Sequence, residues 1–263
     1  MASFSAQDLY GGAMRAHLPR DYIDASKLRQ IPDHQEVFVS ATTLSSVVVE
    51  INQYVAPSAV AAAAADDDAP AVVVDPSSSI MIAAPAGPAA PEALPECEAA
   101  RPEEATLDAD DRAAALYHLG DLVDAHDTLT AVSAPRPVRL QSASLRGVPA
   151  VVVRARLSAR EGNAGGQVES LLPPSSYRHG AAPGDVETST STTTTTIRLL
   201  LVRLEAWSTD LCVVVNVPWK ELGRAGPGGE KTKTVQEEEA FADAVLENLV
   251  ASLDVKDFAL FDG

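Results

Sequence analysis

Cysteine is scarce in this chain, and so are aromatic and basic residues. Two cysteines, Cys97 and Cys212, stand among 263 residues, with five Phe, five Tyr and two Trp. Two cysteines are too few for a disulfide framework, and neither sits in a Cys-x-x-Cys or Cys/His metal spacing. A reducing compartment is therefore expected, with Cys212 a small apolar core residue, Cys97 exposed, and no metal or cofactor. The 20 Lys and Arg against 37 Asp and Glu give a net charge of -17. That balance excludes a general nucleic-acid binder, which needs a basic footprint to neutralise phosphates. It equally disfavours adhesion to an anionic membrane surface. No run approaches the ~18 apolar residues of a membrane span. The N-terminal Met1 to Asp8 lacks the basic region and apolar run of a secretory signal. A soluble, intracellular protein, monomeric and without membrane or direct nucleic-acid contact, is expected.

The acids are unevenly placed. Between Ala56 and Asp111 lie 12 acidic residues and one base, Arg101, with no Phe, Trp or Tyr. Such a stretch has too little apolar surface to offset chain entropy, so residues 57–109 read as an acidic, Ala/Pro-rich disordered insertion. A second interruption, residues 159–192, is rich in Gly, Pro and Thr and reads as a loop. What remains suits one domain with two large loops rather than two domains.

The periods of that remainder are legible. Glu36 to Val39 and Val47 to Ile51 read as strands, as does Val148 to Leu157. Thr195 to Ala206 and Leu211 to Val217 read as an antiparallel hairpin, and Pro218 ends its second strand because it cannot donate to a ladder. Asp111 to His126 reads as a helix with Leu116, Leu119 and Leu122-Val123 on one face. Phe241, Val245, Leu249 and Leu253 mark one face of a final helix. The tail, Phe258 to Phe261, is expected to fold back on the body. Five or six strands with flanking helices predict an α+β domain on an antiparallel sheet.

Catalytic chemistry is mostly missing. Gly226 to Thr232 superficially resembles a phosphate loop, but Glu230 precedes Lys231 and no Gly-Lys-Ser/Thr occurs. His118 and His126 are eight apart on the expected helix, too far for one metal, and no HExxH pair exists. No Gly-x-Ser-x-Gly elbow is present. A cluster of Tyr117, His118 and Asp121 leaves an enzymatic site open as a minor alternative, one that requires a deep pocket around those side chains.

The N-terminal region carries more information. Leu9-Tyr-Gly-Gly-Ala13, Leu18-Pro19 and the run Ile23-Asp-Ala-Ser-Lys-Leu-Arg-Gln-Ile-Pro-Asp-His-Gln-Glu-Val-Phe38 closely resemble the opening of the Mog family, the Ran guanine-nucleotide release factors. Ordered blocks continue the resemblance at Val48 to Ile51, Tyr117-His118 with Asp121-Leu122, Arg203-Leu204, Thr209 to Pro218 and Asp257 to Phe261. It implies a PsbP-like α/β/α sandwich, binding to the small GTPase Ran, promotion of nucleotide release, support of nuclear protein import, residence in nucleus and cytoplasm, and no bond chemistry. It implies no catalytic residues.

The same residues allow a physical account. Asp24 can cap a short helix through its side chain. Pro32-Asp33 turns the chain, so Asp33, Gln35 and Glu36 are expected to gather at the edge of the sheet as an acidic partner surface, with Glu36 exposed. The plainer alternative is that Asp33 only satisfies turn amides and Arg29 pairs with a nearby acid. The resemblance further implies a partner-binding carboxylate at the end of the next strand and another three residues on. Glu50 fits the first position, but Gln53 occupies the second and removes a charge. The candidate partner residues are thus Asp24, Arg29, Asp33, Gln35, Glu36, Glu50 and Gln53. Asp210 is expected to close the hairpin turn and Asn216 to hold a strand end. A scaffold docking another protein through the acidic face, without exchange activity, is the alternative function.

Overall fold

The apolar run Leu211 to Val215 has no polar face, which is the pattern of a strand covered on both sides. The computed structural model, which describes residues 3–59, 107–124, 127–161, 191–223 and 233–262, places it at the centre of a sheet. In chain order the strands are β1 (Phe4–Leu9), β2 (Met14–Pro19), β3 (Tyr22–Asp24), β4 (Gln35–Ser40), β5 (Ser46–Gln53), β6 (Thr128–Val132), β7 (Arg136–Pro137), β8 (Ala150–Glu161), β9 (Ser191–Leu204), β10 (Thr209–Pro218) and β11 (Asp254–Val255). Two helices, α1 (Ala109–Asp121) and α2 (Val235–Ser252), complete the frame. The main sheet runs β3-β4-β5-β10-β9-β8-β6, with β7 also against β8, and a small sheet runs β1-β2-β11. Every pairing is antiparallel. The α+β class stands, but among the described residues eleven strands in two sheets replace the five or six expected.

Alternation along β10 divides the core. Leu211, Val213, Val215 and Val217 join a layer with Val245, Leu249 and Leu253 from α2 and with Leu9, Met14 and Leu18 from the small sheet. Cys212 and Val214 face the other way, toward Ala114, Ala115 and Leu119 of α1. The sheet is therefore sandwiched between α1 on one face and α2 plus the small sheet on the other. Cys212 is a buried core residue, and burial pushes its thiol far above the usual range.

Three expectations need correction. The first helix spans 109–121 rather than 111–126, and its buried stripe is Ala114, Ala115, His118 and Leu119. Leu116 and Leu122 are only partly buried, because the alanines let the helix lie close to the sheet and push the bulkier leucines to its flanks. The loop expected over 159–192 is strand as far as Glu161 and again from Ser191. There β8 and β9 stay paired from Ala150↔Val202 to Glu161↔Ser191, since successive threonines suit a pleated surface. The tail behaves as expected: Phe258 stacks on Trp207 at 4.3 Å and Phe261 is buried. The insertion between 60 and 106, with Cys97, and the stretches 162–190 and 224–232 lie outside the described residues, as does His126.

A carboxylate-lined edge and a buried ion network

β3 pairs only with Phe38 to Ser40 of β4, so the Gln35–Val37 part of β4 has no strand on its outer side. A short 3-10 turn, Ala25–Lys27, and the following loop fill that space. Between them lies an open depression of about 220 Å³, whose lining includes the acidic residues Asp8, Asp24, Asp33 and Glu36 and the apolar Ile31 and Pro32. Asp24 caps the turn by accepting the Ser26 amide at 2.9 Å, as its position predicts. Lys27 Nζ stands 3.9 Å from the same carboxylate, and Arg15 donates to Asp8 at 2.8 Å.

Glu36 departs from expectation. Its Oε1 accepts the Tyr10 amide at 2.5 Å, so a half-buried side chain, rather than an exposed one, ties the small sheet to the main one. Burial raises its carboxyl above the ordinary value, the Tyr10 amide opposes that, and the nearby Asp24 charge adds to it. Tyr10 braces the same joint: its hydroxyl lies 2.9 Å from the carbonyls of both His34 and Val49, donating to one at a time. Burial, with Glu36 and Glu50 nearby, drives the phenol far above its usual range. Tyr10 was not among the candidate residues, although the Leu9-Tyr-Gly-Gly block was the signal for it.

The expected cluster is split by the pleat. Gln35 and Glu50 are register partners, and Gln35 Nε2 donates to Glu50 Oε1 at 2.9 Å, with His34 Nε2 3.5 Å from the same oxygen. Glu36, one step along β4, pairs with Val49 and points to the opposite face. Asp24, Asp33 and Glu36 line the depression, as does Gln35 although its side-chain amide turns to Glu50, whereas Glu50, Arg29 and Gln53 do not line it. Asp33 and Arg29 are exposed, and Arg29 forms no ion pair among the described residues. Gln53 is exposed opposite Thr209.

The second assembly is internal. Asp210 is fully buried; its Oδ2 accepts the Val55 amide at 2.9 Å and lies 2.9 Å from His118 Nε2. Arg203 Nε lies 2.9 Å from Oδ1, an ion pair by distance without hydrogen-bond alignment. Arg203 Nη2 donates to the Val55 carbonyl at 2.9 Å, and its guanidinium sits 4.0 Å over the Tyr54 ring. Asp111 stands 3.9 Å from Arg203. Burial raises the Asp111 carboxyl, with Arg203 pulling the other way. Asp210 therefore does not close the hairpin turn; Thr209 does, donating to the Trp207 carbonyl at 2.9 Å, with Ser208 left-handed at φ 49°. Asn216 holds its strand end as expected, donating to Ser46 Oγ at 3.3 Å. His118 is buried with one ring nitrogen committed to Asp210, while Tyr117 stands exposed, so these two do not compose an open catalytic pocket. Among the described residues no three His, Cys, Asp or Glu side chains are grouped to hold a metal, and no helix is long and apolar enough to cross a membrane.

The family model described as Ran-interacting Mog1 protein matches residues 7–79. A probable Ran guanine nucleotide release factor of Dictyostelium discoideum is 42% identical over 52 residues, 20% of this chain and 27% of that one. The Ran guanine nucleotide release factor of Danio rerio is 45% identical over 49 residues, 19% and 27% of the two chains. The nuclear import protein mog1 of Schizosaccharomyces pombe is 48% identical over 44 residues, 16% and 23%. The chain thus spans about a quarter of the length of the curated relatives it matches. The crystal structure of the Saccharomyces cerevisiae Ran-binding protein Mog1p aligns over 99% of this chain and all of that one, at 17% identity and a TM-score of 0.47. All seven candidate partner residues fall within the matched segment, and over residues 7–79 the resemblance to the Mog family is borne out.

Proposed function

We propose that this chain binds the small GTPase Ran and promotes release of its guanine nucleotide, in support of nuclear protein import, as one domain interrupted by an acidic insertion. The observation that carries the reading is the coincidence of the matched segment with the carboxylate-lined depression at the β3–β4 edge. Four acidic residues line the depression, Asp8 and Asp24 paired with Arg15 and Lys27, and Asp33 and Glu36 without such a partner among the described residues. Such a surface complements a basic partner face.

No covalent step is required. A protein that binds the nucleotide-free GTPase more tightly than the loaded form weakens nucleotide affinity by the same factor, because the coupling is reciprocal. It acts without a cofactor, as a monomer moving between nucleus and cytoplasm. Ran preloaded with a fluorescent GTP analogue tests the reading: added protein is expected to accelerate loss of the label. Unchanged loss at saturating protein, together with retained binding, would leave a Ran-docking scaffold and remove the exchange activity.

A further inference from the structure

Among the described residues three large apolar side chains are exposed: Ile23 at 41%, Leu28 at 70% and Tyr117 at 37%. Single exposed apolar residues are ordinary, but two of these three lie on the short segment that also supplies the acidic depression. Leu28 closes the 3-10 turn whose cap is Asp24, and its amide donates to the Ala25 carbonyl at 2.9 Å. The turn is fully satisfied: Ala25 points into the core at 2% exposure, Asp24 holds the Ser26 amide, and Leu28 is left facing water. Nothing in the turn's own hydrogen bonding calls for a leucine there, and its exposed hydrocarbon surface is unfavourable in the free chain.

The charges around it are ordered. In the chain, exposed Lys27 and Arg29 flank Leu28 directly, Asp24 lies four residues before it, and Ile31, Pro32 and Asp33 follow into the depression, which Leu28 does not itself line. An exposed leucine flanked by charged residues, on the segment that leads into a depression lined by acidic residues, has the layout of a binding hot spot, in which a desolvated apolar centre supplies affinity and charged neighbours supply orientation. Tyr117 lacks this setting: it lies on α1, which covers the Cys212–Val214 face of the sheet rather than the β3–β4 edge.

We infer that Leu28 is the apolar anchor of the contact surface at this edge, seating in an apolar pocket on its protein partner while the neighbouring acidic residues meet that partner's basic groups. The inference rests on the reading above and so takes that partner to be Ran. The carboxylates at the depression steer and orient; Leu28 holds.

The test is the affinity of the full chain for nucleotide-free Ran, measured for the wild type, Leu28→Ala, Leu28→Met and Tyr117→Ala at low and high salt. Thermal melts verify the fold of each. Leu28→Ala is expected to weaken binding by roughly tenfold or more, the scale of a hot-spot truncation. Leu28→Met, which keeps the apolar volume, is expected to stay within about threefold, and Tyr117→Ala to bind as the wild type does. The ratio of wild type to Leu28→Ala should hold between about 0.05 and about 0.5 M salt while both affinities fall, because screening acts on the charges and not on the leucine. A wild type that binds Ran while Leu28→Ala binds equally well overturns the anchor alone, as does an equal loss in Tyr117→Ala. A wild type that fails to bind nucleotide-free Ran overturns the Ran reading, and the anchor falls with it.

Discussion

Glu36 meets two demands, one inside the fold and one at its surface. As an acceptor for the Tyr10 amide it joins the two sheets, and as a carboxylate beside Asp24 it contributes to the acidic edge. Its raised carboxyl fixes the sign of the pH dependence. A folded-state value above the unfolded one means that the folded protein holds this proton more tightly, so the group's contribution to stability falls as pH rises through the window between them. Below the unfolded value of 4.5 both states are protonated and the difference is constant. Glu36→Gln keeps an oxygen for the Tyr10 amide and removes the half-buried charge. Its stability at pH 7 should change by no more than about 1 kcal/mol. In urea titrations the wild type should gain on the variant as pH falls from 7 toward 4.5; parallel curves would show that Glu36 does not titrate in this way. Glu36→Lys is the harsher change, because the Tyr10 amide loses its acceptor and an ammonium enters a half-buried site. It should destabilise by roughly 1–3 kcal/mol, so a loss of partner binding in that variant reports on folding as well as contact.

At the scale of elements, the buried Asp210–Arg203 pair fastens β9 and β10 to α1 through His118 and Asp111, and to the end of β5 through Val55. Removing one partner leaves the other charge buried and uncompensated. Asp210→Ala should therefore lose roughly 3–5 kcal/mol in chemical denaturation, whereas the pair Asp210→Leu with Arg203→Met should recover much of that. Additive losses in the double variant would mean the two residues are not coupled. At the start of α2, Thr234 and Glu237 form a capping box, and Thr234→Ala should cost about 1 kcal/mol. These elements differ in how plainly they could be read from the chain. The middles of β8, β9 and β10 announce themselves through Val151–Val153, Thr195–Ile197 with the apolar run after it, and Val213–Val215, whereas the outer ends of β8 and β9 are polar and read as loop. The β1–β2 hairpin does not: its apolar residues are few, and its turn depends on Gly11 at φ 65° and Gly12 at φ 97°, left-handed conformations that a pattern of hydrophobicity does not encode. The face of α1 was misread because alanines, not leucines, approach the sheet. Asp24's cap was legible because it is local. The divergence of Glu36 from Gln35 and Glu50 was not, since a one-residue step reverses the face and only register reveals it. The pairing of Asp210 with His118, 92 residues away, leaves no local signature at all.

Over the whole molecule, nearly half of the net charge falls within one stretch of the sequence. Residues 60–106 hold nine of the 37 acidic residues and one of the 20 basic ones, so replacing them with a neutral linker takes the net charge from -17 to -9. The flanks on either side are secured by groups outside that segment. Val55 is held through both its amide and its carbonyl by Asp210 and Arg203. Asp108 caps α1 by accepting the Asp110 amide at 2.8 Å. A Gly/Ser linker of about 20 residues in place of 60–106, flexible enough to span the gap, should therefore leave the melting temperature within about 4 °C of the wild type, a shift that corresponds to about 1–2 kcal/mol in a domain of this size. Binding kinetics should separate the two roles of charge. Long-range attraction governs encounter, so the association rate with Ran should fall at low salt and its salt dependence should become shallower, while dissociation, set by contacts at the β3–β4 edge, stays the same. Stopped-flow traces across a salt series would read both constants. A faster dissociation in the linker variant would mean that the acidic segment itself touches the partner; an unchanged association rate would mean that the carboxylates of the edge suffice to guide encounter without it.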